Sequence, residues 1–485
     1  MKGGTLVPWV VSGLAAAVFG WFSRRWPDDW DGVGFVLAVH DYDLSRFRPH
    51  FPGYPLYVVL ARAVAAIGVS PAHACALVSA LGGTLVVAGL CAVVAGRVRA
   101  WWISAAALAL PVLVATSTRV GADTLALGWF VCAAALALRS TRGLRATGAS
   151  GVCLGLSLAA RPGIAIEVSP VWLACCAFAV CTAVDARDRR IAIRSAGIAT
   201  VVGGLVAGSW LAWPIARHGW RGFWQLGHTH VVGHFGSWGG TLISDDGPSR
   251  GASFVRLLVY HGLGIDGSLL GVLRGCCVIG LALLGAARLG QRPTRFIVAA
   301  IVCSGLALFL AQSVGAPRHA LVPAVGLALL VAAGLQHLAS ASRSRAAIAL
   351  VAGGYLAAWP AIPLLRAQRA RPPAAVRAID AVRNAGDPRD AVIFGGRNAR
   401  FAELVGVAAF PFTWMGEVDA SLERANRVPS QVYVTDEVAF RERARGALRL
   451  FTRECSDDLP GRIEHCVTVY RYDWLTRTTP PDQTM

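Results

Sequence analysis

From residue 4 to residue 365 the chain repeats one pattern, an apolar run, a short break rich in arginine, and another apolar run. Runs of about 17 to 25 apolar residues are what a helix needs to cross a bilayer core, where backbone polar groups must bond within the segment. About eleven can be marked, near residues 4–22, 72–95, 100–117, 120–138, 147–160, 164–184, 195–216, 264–287, 296–314, 320–338 and 346–365. Charged residues make up only 15% of the 485, and mean hydropathy is +0.53, too apolar to solvate a globular surface of this size. The chain reads as a polytopic membrane protein.

The arginines set an orientation. With Lys2 on the cytoplasmic side, alternate short loops carry Arg97 and Arg99, then Arg139, Arg142 and Arg145, then Arg187, Arg189, Arg190 and Arg194. The series continues with Arg288, Arg292 and Arg295, then Arg343 and Arg345. All fall on one face, as the positive-inside bias demands. The count works only if residues 55–69 form a short amphipathic helix on the outer surface; the competing reading makes them a span and drops another run. A signal peptide is the weaker account of residues 4–22, since no small-x-small site follows. The net charge of +18 then belongs largely to topology and anionic lipid, with no pointer to nucleic acid.

Ten cysteines lie in or beside apolar runs and read as packing residues. Cys455 and Cys466 lie in the polar tail on the outer, oxidising face, where a disulfide and two free thiols are both open. The apolar pattern ends near Leu365, which sets a membrane domain at 1–368, an outer α/β domain at 369–475 and a disordered tail at 476–485. In the α/β domain, residues 391–396, 431–437 and 465–474 read as strands, and 374–384 and 437–450 as helices. Gly395 and Gly396 read as a turn rather than a phosphate loop.

Chemistry concentrates on the outer side. Ten of the eleven histidines fall there, His337 excepted. Residues 23–71 hold Asp28, Asp29, Asp31, His40, Asp41, Asp43 and His50, and residues 217–263, read as a long loop, hold His228, His230 and His234 near Asp245 and Asp246. Those three histidines are candidates for a divalent metal or for positioning an acceptor. Trp220, Phe223, Trp224 and Trp238 beside them suit sugar stacking or the headgroup layer. Lys2 is the only lysine, so a P-loop of the G-x-x-x-x-G-K type is excluded, and an ATP-driven pump with it. A secondary transporter would want buried ionisable groups on broken helices, for which Glu167, just after Arg161-Pro162-Gly163, is the main candidate.

The stretch DDWDGVGFVLAVHDYDLSRFRPHFPGYPLYVVLARAVAAIGVSPAHACALVSALGGTL resembles the amino-terminal part of the protein O-mannosyltransferase-like membrane glycosyltransferases of the GT-C superfamily. Those proteins have an acidic residue early in the first outer loop, an HPPGYPLY-like segment and then a span with an S-A-L-x-G pattern. Here Phe51 replaces one proline. TRVGADTLALGWF (118–130), AARPG (159–163) and APRHALVPAVGLALLVAAGL (316–335) resemble later family segments in order, with His319 at a tyrosine position.

The resemblance implies a GT-C-like fold of about eleven transmembrane helices with outer-surface juxtamembrane helices, in addition to the small C-terminal α/β domain. It also implies an inverting glycosyltransferase that moves a sugar from a polyprenyl-phosphate carrier to an acceptor protein, glycolipid or polysaccharide on the periplasmic face of the inner membrane. One base and a cationic clamp suffice, because the carrier phosphate is a good leaving group. Asp31 matches the family's first-loop acid and is the candidate base, with Asp28 and Asp29 as rivals in register and Asp123 as a second acid. Capping of the helix near residue 31 is the plain alternative for this acidic loop. Arg318, His319 and Arg161 are candidates for holding the donor phosphate, and His50 and Tyr54 for lining its entrance; for the arginines snorkelling, and for the tyrosine membrane anchoring, are the plain alternatives. A polyprenyl-lipid or sugar transporter without glycosyl transfer is the alternative function, and a degenerate enzyme serving as an assembly partner is a third.

Overall fold

The computed structural model describes residues 6–138, 143–238, 240–244, 249–370, 372–385, 391–394, 398–410, 431–436, 438, 448–455 and 466–472. The chain divides into two compact units: a larger one holding residues up to Arg25 and Ala38–Arg369, and a smaller one holding Trp26–Leu37 and the described residues after Arg369.

The larger unit is helical. Its elements are α1 Leu6–Trp21, the end of α2 Trp30–His40, α3 Pro55–Ala65, α4 Pro71–Val93, α5 Ala100–Leu108, α6 Pro111–Thr118, α7 Asp123–Ala137 and α8 Leu144–Ala160. There follow α9 Ala165–Cys181, α10 Ala186–Gly233, α11 Arg250–Arg256, α12 Leu269–Leu289, α13 Gln291–Ala311, α14 Leu321–Ala341 and α15 Arg343–Ala370. All eleven apolar runs fall on helices. Among the described residues, seven segments are single helices long and apolar enough to cross a membrane, or up to eight if the bent pair α5–α6 is one span. The other three runs lie on α1, α7 and α8, shorter apolar helices of 16, 15 and 17 residues.

The bend between α5 and α6 is 84°. Pro111 has no N–H to continue the ladder and forces Leu110 into an extended conformation. The freed backbone is served by Arg274, fully buried on α12, whose guanidinium donates to Ala109 O, to Leu263 O at 2.6 Å and to Leu356 O at 2.8 Å.

α4 and α7 pack backbone to backbone. A Cβ on Gly82 would collide with the main chain of Thr124 and Leu125, and one on Gly128 would lie 2.6 Å from Gly82 O. Small residues at such a contact let two membrane helices approach closely, which explains the SALGG sequence at residues 79–83.

Residues 217–263 are largely helical rather than an outer loop. α10 runs on to Gly233, broken only at Gly219, whose φ of 71° and ψ of 158° suit glycine. A π turn at His234–Trp238, α11 and a second π turn at Leu257–Gly262 follow. The mixture of His, Trp, Gly and Arg that suggested a loop is a helix with Phe223 and His230 turned inward and Trp220, Trp224 and His228 exposed.

The smaller unit is a five-stranded sheet in the order β2-β1-β3-β5-β4, formed by β1 Ala391–Phe394, β2 Ala408–Phe410, β3 Gln431–Thr435, β4 Leu448–Cys455 and β5 Cys466–Tyr472. β1 pairs in parallel with β2 and β3, whereas β5 runs antiparallel to β3 and β4. Helix α16, Ala374–Asn384, lays Val376, Ile379 and Val382 on a core with Ile393, Tyr433 and Val469, and Val33 of α2 completes it. α17, Ala399–Val405, adds Phe401 and Ala402. The helix expected over 437–450 is corrected at its end, because Leu448 already begins β4. Gly395, Gly396 and residues 476–485 lie outside the described residues. Cys455 and Cys466 face each other across β4 and β5 and are joined in a disulfide, with Cα atoms 4.0 Å apart.

Candidate active site

Four chain breaks bring the charged residues of the larger unit together. α8 stops at Arg161 because the following Pro162 bars a helical conformation there. Pro317 likewise precedes the short turn carrying Arg318 and His319, Asp123 opens α7, and Glu167 lies in the first turn of α9.

Arg161 is the hub. Its Nε lies 3.3 Å from Asp123 Oδ1 and its Nη1 donates to Glu167 Oε1 at 3.3 Å. Its Nη2 lies 3.4 Å from His319 Nε2. His319 Nδ1 lies 2.7 Å from the carbonyl of Ser313. With the proton on Nδ1, Nε2 presents a lone pair to the guanidinium. Arg119 Nη2 stands 4.0 Å from Asp123 Oδ2, and Arg318 acts electrostatically on both Asp123 and Glu167.

Among the described residues, three guanidiniums thus meet two carboxylates. Asp123, Arg161, Glu167 and His319 are buried, whereas Arg119 and Arg318 are partly exposed, so the accessible side of the cluster is cationic. Asp123 Oδ1 makes an ion pair but accepts no hydrogen bond among the described residues, which leaves it able to take one from a hydroxyl.

The segment His50–Tyr54 reverses the chain ahead of α3. Gly53 and Tyr54 both have positive φ, 107° and 51°, and a Cβ on Gly53 would collide with Tyr42 Oη. Tyr54 Oη and His50 Nε2 are 2.5 Å apart, and Tyr54 also acts electrostatically on Arg161. Phe51 packs on Phe223 and over Gly227, and the His50 ring lies 6.1 Å from that of His230, so the segment is docked on the last turns of α10. At 11 residues α3 is too short to span a membrane.

His228, His230 and His234 do not converge. His230 and His234, four residues apart on one face, stack with centroids 6.3 Å apart, and His228 is exposed on another face. Among the described residues no group of three His, Cys, Asp or Glu side chains is placed to hold a metal. Asp245 and Asp246 lie outside the described residues. Trp220 and Trp224 are exposed and stacked with centroids 6.4 Å apart.

Asp28, Asp29 and Asp31 belong to the smaller unit, whereas Asp41 and Asp43 lie in the larger one. Asp29 Oδ1 accepts the Gly32 N–H at 2.6 Å and caps α2, while Asp31 is a buried residue of that helix's first turn. Asp123, Arg161, Arg318 and His319, named separately from the sequence, stand together. Arg119 was missed, although it lies within the quoted segment 118–130, and Glu167 was read only as a transport residue.

No known protein family matches the chain, and no curated protein does. The fold does match solved structures. The structure of ArnT from Cupriavidus metallidurans bound to undecaprenyl phosphate superposes with a TM-score of 0.60 at 13% identity, over 99% of this chain and 100% of that one. The same protein in the apo state gives 0.59 at 13% identity over 95% and 97%. The apo Archaeoglobus fulgidus oligosaccharyltransferase gives 0.50 at 15% identity, over 89% of this chain and 70% of that one. This is a multi-pass membrane protein with the GT-C fold expected from its sequence.

Proposed function

We propose that the protein is an inverting glycosyltransferase that takes its sugar from a polyprenyl-phosphate carrier on the outer face of the inner membrane. The observation that carries this reading is the buried Asp123–Arg161–Glu167–His319 cluster, flanked by the partly exposed guanidiniums of Arg119 and Arg318, on a fold shared with a protein solved with undecaprenyl phosphate. A phosphate on a long-chain alcohol is the kind of anion that exposed guanidiniums hold through paired charged hydrogen bonds.

In the reaction, an acceptor hydroxyl loses its proton to a carboxylate, its oxygen bonds to the sugar C1, and the C1–O bond pair leaves with the carrier phosphate. Charge growing on that phosphate meets Arg318 and Arg119, both of which are attracted by Asp123. Two carboxylates are candidates for the base. Asp123 has an Oδ1 that accepts no hydrogen bond among the described residues; Asp31 is the acid at the position that the family resemblance implies for the base. Glu167 pairs with Arg161 and serves the cluster. His50 and Tyr54 line the donor's entrance.

The test uses purified protein in lipid nanodiscs. Undecaprenyl phosphate should bind at least about tenfold more tightly than undecaprenol, equivalent to about 1.4 kcal/mol, and Arg318→Ala should erase most of that difference. Equal binding of the two lipids would refute the phosphate site. Comparing envelope glycans by mass spectrometry with and without the protein then names sugar and acceptor.

A further inference from the structure

Tyr57 is wholly buried one turn beyond Tyr54 on α3, and its phenol oxygen is where three elements meet. It accepts the Gly121 N–H at 3.0 Å, donates to Cys75 O at 2.8 Å and lies 3.1 Å from Ser79 Oγ. Ser79 Oγ in turn donates to Gly121 O at 2.8 Å. The Gly121 peptide is therefore held at both its N–H and its C=O. Just beyond it, Thr124 Oγ1 donates to Ser79 O at 2.9 Å.

Gly121 lies midway between Arg119 and Asp123, and a Cβ there would stand 3.2 Å from Asp123 Oδ2. Any shift of this peptide moves a cation and a carboxylate of the cluster together. Burial raises the Tyr57 phenol well above its ordinary pKa, which keeps its proton in place. Phenylalanine would fill the same space, so the oxygen is there for its hydrogen bonds. Without it the buried Gly121 N–H loses its acceptor, which is costly.

We propose that Tyr57 is a positioning residue: by gripping Gly121 it sets Arg119 and Asp123 for the transfer step and ties them to α3, the helix that brings Tyr54 toward Arg161. The proposal rests on the function given above. A misplacement of about 1 Å at a reacting group can lower turnover on the order of 100-fold, and Tyr57 acts on that placement through Gly121.

The test compares native protein with Tyr57→Phe and Ser79→Ala, full-length in nanodiscs, Ser79→Ala serving if the first does not fold. Amide exchange at residues 119–123 should quicken about tenfold or more in both variants. With an undecaprenyl-phosphate sugar that the native protein consumes, kcat should fall roughly 10- to 100-fold, with KM and the affinity for undecaprenyl phosphate within about twofold. The double variant should be no slower than the slower single one. Unchanged exchange, or faster exchange with native kcat, would overturn the inference; so would a raised KM at native kcat, which would put Tyr57 on the donor. Failure of the native protein to bind or consume the donor sinks the proposed function itself and is read before any substitution is made.

Discussion

Replacing Arg161 by methionine strikes the hub of the cluster. Two ion pairs at 3.3 Å are lost together with the contact to His319. At an effective dielectric of about 20, each pair represents about 5 kcal/mol of gross attraction. The desolvation of the guanidinium offsets much of this, and breaking a buried pair by removing one partner costs about 3–5 kcal/mol. Arg161→Met should therefore destabilise the protein by about that amount. Arg161→Lys keeps the charge but reaches one acid at a time, so the loss should be about 1.5–3 kcal/mol, the worth of one charged hydrogen bond. The double variant Arg161→Met, Glu167→Gln removes an orphaned carboxylate and should recover part of the loss. Unfolding in nanodiscs, with folded fractions followed by size exclusion after heating, ranks the four proteins. A methionine variant within about 0.5 kcal/mol of native, or a double variant no better than the single one, would refute the buried hub.

Other outcomes follow from the same structure. Asp31→Asn and Asp123→Asn, assayed separately for sugar transfer, should differ, with the true base losing about 10²- to 10⁴-fold in kcat; near-native turnover in both would remove general base catalysis from the mechanism. Cys455→Ser should weaken the smaller unit by about 2–3 kcal/mol, judged from the short loop that the disulfide closes, and limited proteolysis of the full chain would show it; unchanged cleavage rates would count against it. Gly82→Val should disrupt the α4–α7 contact and lower the yield of folded protein at a cost of at least about 1–3 kcal/mol, whereas Gly204→Val, at an open helix face with nothing near its Cβ direction, should fold normally.

The helices were legible because apolar run length is a strong signal, and the break at Pro111 shows where it misleads. A run of 18 residues, 100–117, looks like one span whether or not a proline bends it. Residues 217–263 misled in the other direction: five histidines, three tryptophans and ten glycines hide a helical stripe that becomes evident only when Phe51 is seen packed on Phe223. At the C-terminus, the Arg- and Ala-rich approach to Leu448 suggested a helix, while pairing with β5 makes that end a strand. The members of the site could be named one by one, since each sits beside a Pro or Gly break. Their convergence could not, because Arg161 meets His319 across 158 positions of sequence and no local pattern encodes that. Tyr57 carried no polar signal among its apolar neighbours.

Val33 lies in the core of the smaller unit, whose other members come from residue 375 onward. That unit is therefore not a module appended to a membrane anchor. During synthesis its first helix leaves the ribosome before every helix from α3 to α15 and waits until the last strands emerge, on the order of tens of seconds at ordinary elongation rates. A chain cut after α15 would lack the whole sheet and leave Val33 without its burial partners, and a freely expressed tail would have a hole where Val33 belongs. Folding of the smaller unit thus needs segments from both sides of the membrane helices, so its stability reports on their joint presence.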